Sequence, residues 1–257
     1  MTSTATPVTE QRSTAGRREF VAIVTSMMAM GAMAIDLMMP TFADLRVDYG
    51  LAADDGRVGW VVTSFFFGLA LGPWLYGPAS DRFGRRPPLY VGLTLYLVCS
   101  LAAALAPSLA TMLIIRFIWG VGAGASRVLS MALVRDRYEG DAMARLMSLI
   151  MAVFLLVPIL SPALGALVNL VAPWRVVFAM PAFMAAALMV WCRRLPETLP
   201  PERRRPLSRA AVTAAVRASA NRTTVCCTLA VMFLFGIMTS YLSSFELILH
   251  GTYDRAG

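Results

Sequence analysis

Long apolar runs separated by short polar breaks dominate the chain. Seven runs stand out, at about 20–40, 57–78, 88–106, 110–134, 146–170, 174–192 and 225–249. Each is close to the roughly 18–20 residues that carry an α-helix across a bilayer. Backbone polar groups in lipid must be satisfied within the segment, so the pattern predicts an all-α membrane protein. The breaks differ in character. Residues 1–18 are polar and rich in Ser and Thr, and read as a tail. Residues 19–192 hold six runs, and residues 193–224 form a linker crowded with arginine and proline. Residues 225–257 add a seventh run and a short end. Between the second and third runs lies Gly77-Pro78-Ala79-Ser80-Asp81-Arg82-Phe83-Gly84-Arg85-Arg86-Pro87-Pro88, a basic turn joining an antiparallel pair. Gly77 reads there as a point of close backbone approach, and Gly84 as a positive-φ turn before the prolines open the next helix.

With 58% hydrophobic residues over 257 positions, this is no soluble globular chain. A net charge of +8 suggests nucleic acid in a soluble protein. Here the basic residues, all arginine, gather in alternate breaks, and seventeen of the 23 fall on one side of the predicted topology. Cytoplasmic loops collect Arg and Lys, so the N-terminus and the basic turns are expected in the cytoplasm. The break holding Asp44, Asp48, Asp54 and Asp55 is expected outside. The linker, with an amphipathic helix from Ser208, would lie on lipid headgroups; no nucleic-acid partner is expected. Cys99, Cys192, Cys226, Cys227 and the single His250 form no ligand grouping, and no nucleophile–base pair is present. Neither a metal, a cofactor nor an enzymatic reaction is expected.

Charges inside the spans carry the chemistry. Asp36 in span 1 and Arg116 and Arg127 in span 4 each cost about 2.5–3.5 kcal/mol at mid-bilayer, so such groups usually face a cavity and mark a pathway. Arg116 and Arg127 are eleven residues apart, close to three helical turns, and share one face with or near Gly120 and Gly124. Asp36 is the only mid-span acid of the first six runs, so Arg116 is expected to look at it across a wet vestibule. Such a pair is either a structural ion pair or a proton-coupling site. A carboxylate whose proton affinity follows the opening and closing of a water path can load a proton on one side and release it on the other. Met33, Asp36, Arg116, Gly120 and Arg127 are then the candidate substrate cavity. In span 2, Gly68 and Gly72 make a small-x-x-x-small face for close helix contact.

The basic turn, read as G-x-x-x-D-R-x-G-R-R, resembles the loop between spans 2 and 3 of the major facilitator superfamily. Further segments are similar to its drug:proton antiporters of the bicyclomycin/chloramphenicol-resistance group. Leu113-Ile114-Ile115-Arg116-Phe117-Ile118-Trp119-Gly120 resembles the span 4 motif whose arginine is implicated in proton transfer, with Trp119 where Gln is usual. Val157-Pro158-Ile159-Leu160-Ser161-Pro162-Ala163-Leu164-Gly165-Ala166 resembles the span 5 antiporter motif, of which Pro162 and Gly165 carry over. Val134-Arg135-Asp136, Trp174-Arg175-Val176-Val177-Phe178 and Leu195-Pro196-Glu197-Thr198-Leu199-Pro200 also match. The resemblance implies the N-terminal six-helix half of the fold, a 3+3 inverted repeat, plus one further span. It implies Gly77, Asp81, Arg82, Gly84, Arg85 and Arg86 as a gating loop that engages the second half. It also implies proton-coupled efflux of drug-like small molecules across the inner membrane by alternating access, from a monomer. A nutrient symporter or uniporter of the same fold is the alternative. The family has twelve spans and this chain offers seven, so a truncated transporter, active or inert, is expected.

Overall fold

The structure, a computed structural model, describes residues 16–52, 55–204, 213, 221–234 and 236–237. The chain divides into two compact units, Met1–Pro206 and Leu207–Gly257. In the first unit seven α-helices follow one another: α1 (Arg17–Asp36), α2 (Phe42–Asp48), α3 (Trp60–Phe83), α4 (Arg86–Ala104), α5 (Leu109–Arg137), α6 (Gly140–Val171) and α7 (Trp174–Trp191). No strand occurs among the described residues. α1 and α2 together make one span, and among the described residues six segments are long and apolar enough to cross a membrane. Spans 1–3 and 4–6 are successive antiparallel triplets. An odd number of crossings in each leaves the second triplet inverted relative to the first.

The second unit contributes helix α8 (Arg222–Leu234). Most of the remainder of the seventh run, nearly all of the segment from Ser208, His250 and most of the N-terminal tail lie outside the described residues. Arg17 and Arg18, assigned by pattern to the tail, are the first residues of α1.

Glycine sets how the six spans pack. α5 lies between α3 and α4, and its Gly-Val-Gly-Ala-Gly stretch offers alternate glycines to the two neighbours. A Cβ on Gly72 of α3 would stand 2.7 Å from the Cα of Gly124, and one on Gly122 would stand 2.8 Å from the backbone N of Tyr96 in α4. Gly68 meets the Phe117 carbonyl in the same way. The small-residue face read in span 2 is therefore the α3–α5 crossing, where backbones meet without side chains between them. Apolar spans gain little from burial in lipid, so this close packing supplies the association.

The basic turn is shorter than its sequence suggests. α3 continues through Gly77, Pro78, Asp81 and Arg82 to Phe83, and only Gly84 and Arg85 connect it to α4. Pro78 is accommodated inside the helix, and Gly77 has open space around it rather than a close neighbour. Gly84 adopts φ +93°, the left-handed turn expected of it.

Candidate functional site

The site is organised on a break in span 1. α1 stops at Asp36, and Pro40 follows four residues later. Proline has no N–H to donate to the Asp36 carbonyl, and its ring crowds that carbonyl, so the α-helix cannot continue. Met39–Thr41 form a single 3₁₀ turn before α2. Thr41 closes it, donating from its backbone N (2.9 Å) and its Oγ1 (2.7 Å) to the Met38 carbonyl.

Three spans converge on this break. From α5, Arg116 donates through Nη2 to the Ala34 carbonyl (3.0 Å) and to Met38 Sδ, and through Nε to the Val61 carbonyl of α3 (3.4 Å). From α4, Tyr96 donates its hydroxyl to the Met30 carbonyl (2.9 Å). From α6, Gly165 sits directly on the Leu37 carbonyl, leaving no room for a Cβ.

Arg116 has no exposed surface. Its guanidinium carbon lies 4.8 Å from the Trp119 ring centroid, 4.9 Å from Phe65 and 5.6 Å from Phe178, with Trp119 and Tyr96 packed edge to face at 5.4 Å. Desolvated cation–π contacts contribute about 2 kcal/mol each, so rings and carbonyls together offset the burial of this charge. Nη1 is buried with no hydrogen-bond partner among the described residues.

The expected Asp36–Arg116 pair is therefore not formed. Arg116 reaches the backbone two residues before Asp36, and the rings hold it there. Asp36 is half-buried and makes no hydrogen bond or ion pair with any described residue. Met33, one turn earlier on α1, is also half-buried. Gly120 is not a cavity residue: it lies in the α3–α5 contact, where a Cβ would strike the Phe65 carbonyl. Arg127 shares the helical face of Arg116 but not its surroundings, being exposed with its guanidinium 6.0 Å from the Phe154 ring of α6. Pro158 and Pro162 lie within a continuous α6, Pro158 exposed and Pro162 half-buried. Gly165 of that motif packs on the break.

A second cluster closes the arginine-rich end. Arg85 is buried between Asp136 at the end of α5 (Nε to Oδ2, 2.8 Å), Asp81 (Nη1 to Oδ1, 2.8 Å) and Ser80 Oγ (2.8 Å). Burial opposes its charge, but its hydrogen bonds to Asp136 and Asp81 prevail and hold its pKa above the usual guanidinium value. Glu197 accepts from the backbone N of Arg85 (2.7 Å) and of Arg86 (3.1 Å), capping α4 from a distant segment, and Thr198 donates to Asp136 (2.8 Å). A Cβ at position 84 would meet the Glu197 carboxylate at 2.7 Å, a second reason for glycine there. Arg86 lies 5.9 Å from the Tyr90 ring, and Arg82 is exposed over Phe83. Asp81 and Arg85 thus bind within this unit. Sequence reading quoted Asp136 and Glu197 without giving them a role; the available signal was that each is an acid set among arginines.

Six spans in two inverted triplets, with an unpaired carboxylate at a break in the first, are the architecture of one half of a membrane transporter. The chain belongs to the Major Facilitator Superfamily, which it matches over residues 20–256. It is 34% identical over 199 residues to an uncharacterized MFS-type transporter, YdgK, of Bacillus subtilis, covering 76% of this chain and 49% of that one. It is 31% identical over 176 residues to a bicyclomycin resistance protein homolog of Haemophilus influenzae, covering 67% and 43%. The proton:xylose symporter XylE superposes with a TM-score of 0.65 at 19% identity, over 78% of this chain and 51% of that one; this likeness shows the fold alone. The chain spans about half the length of the curated relatives it matches.

Proposed function

We propose that the chain is the N-terminal portion of a proton-coupled exporter of drug-like small molecules, working by alternating access, with Asp36 as its proton carrier. One observation carries the reading: a half-buried carboxylate in a membrane span, at a helix break, with no partner among the described residues. A carboxylate held in a permanent ion pair has little freedom to gain and lose a proton, whereas an unpaired one responds to each change in its access to water. Arg116 serves as the anchor of the break rather than as the counter-ion of Asp36. Holding the Ala34 carbonyl and Met38 in place fixes where the carboxylate stands. The bicyclomycin-resistance relative supports efflux as the direction of transport. The arginine bias supports a cytoplasmic N-terminus in the inner or plasma membrane.

The test is efflux from vesicles containing the full-length gene product, driven by an imposed pH gradient. Asp36→Asn is expected to abolish gradient-dependent efflux while substrate exchange at equal pH persists. Arg116→Ala is expected to lower both, because the break loses its anchor. Gradient-dependent efflux at the wild-type rate in Asp36→Asn would remove Asp36 from the proton path.

A further inference from the structure

Arg116 and Arg127 occupy one face of α5 and are treated oppositely by the fold. Arg116 is enclosed by two carbonyls, a thioether and three rings. Arg127 is exposed, and no carboxylate pairs with it among the described residues. It stands ten residues from the Arg137 end of α5, roughly 15 Å along the axis, well inside the span. An unpaired guanidinium at that depth is expensive against lipid and tolerable against water or a ligand. Its surroundings agree. Its guanidinium stands 6.0 Å from the Phe154 ring of α6, a helix that α5 touches only sparsely.

We propose that Arg127 is a substrate-contacting residue that selects molecules bearing an acidic group, carboxylate or sulfonate, on an aromatic body. The guanidinium supplies a planar donor fork for the acid, and the Phe154 ring supplies a face for the aromatic part. Asp36 lies nineteen residues into α1, roughly 28 Å from the same end of the bundle, so the two charges stand at different depths. A bound acid at Arg127 is therefore separated from the carboxylate at Asp36 rather than set against it. This inference rests on the transport reading above and names a substrate class for it.

The test uses a matched pair of fluorescent probes, dansylglycine and its uncharged amide, titrated into the purified full-length gene product. The wild-type protein is expected to bind the carboxylate about tenfold more tightly than the amide. Arg127→Gln is expected to erase that preference, Arg127→Lys to keep most of it, and Phe154→Leu to weaken both probes alike. Equal binding of the two probes to the wild-type protein would overturn the proposal whatever the variants do. A preference that survives in a folded Arg127→Gln protein would also overturn it. The proton-path reading is scored separately by gradient dependence in Asp36→Asn. A carboxylate preference without gradient-dependent efflux would uphold the acid site and sink the coupling, and the reverse result would do the opposite.

Discussion

The two ends of the six-span unit are held by different means. At the arginine-rich end one guanidinium, 9% exposed, is shared by carboxylates from α3 and α5, while Glu197 caps α4 from beyond α7. At the opposite end the acids of α2 make separate, more exposed contacts. Asp48 accepts from Trp174 Nε1 and Arg175 Nη1 (2.7 Å each), with side chains 38% and 46% exposed in its pair with Arg175, and Asp44 accepts from Asn169 Nδ2 (2.6 Å). The comparison separates a fastening from a latch. A buried hub that joins three segments cannot lose one member without stranding the others, whereas exposed pairs open and reclose at little cost.

The largest effect is expected from Arg85→Ala, which leaves Asp81 and Asp136 facing each other without a cation. Breaking a fully buried pair costs about 3–5 kcal/mol; with Asp81 half-exposed, about 2–3 kcal/mol is expected here, read as a lowered Tm in detergent. A Tm within a degree of wild type would mean that the two ends are equally loose. Asp48→Ala, at the other end, is expected to lower the Tm far less than Arg85→Ala on the same assay. A loss as large as that of Arg85→Ala would erase the contrast.

The smallest effect concerns Asp55, which begins the turn leading into α3. The side-chain hydrogen bond from Arg57, aided by its backbone N–H, holds the Asp55 carboxyl below the ordinary carboxylate range. A group with a depressed folded-state pKa stabilises fully above its unfolded pKa and loses that contribution as pH falls through the folded value. The Tm difference between wild type and Asp55→Ala should therefore be present at neutral pH and close in acid. A difference that does not change with pH would assign the contact to packing instead.

Much of this arrangement is legible in sequence because lipid leaves so few options. Run length marks six spans, Gly68 and Gly72 mark a crossing, and Gly84 marks a positive-φ turn. Helix ends are less legible. Gly77-Pro78 has the residues of a turn, but a membrane helix tolerates proline where neighbours satisfy the freed carbonyl. Helical periodicity places Arg116 on a face and says nothing of what that face meets. The rings that enclose it come from positions 65, 119 and 178, on three different spans. Pro40, four residues after Asp36, is the signal in the sequence for this: it ends the helix, and Arg116 takes the Ala34 carbonyl just before the break.

Gly165 gives the break a mechanical meaning. With hydrogen as the only side chain at this position, span 5 rests directly on the Leu37 carbonyl, one residue beyond Asp36, like a pawl on a ratchet tooth. Span 5 cannot rock or slide at that contact without pushing on the backbone next to the carboxylate. Even a methyl group there would act as a wedge between span 5 and the break.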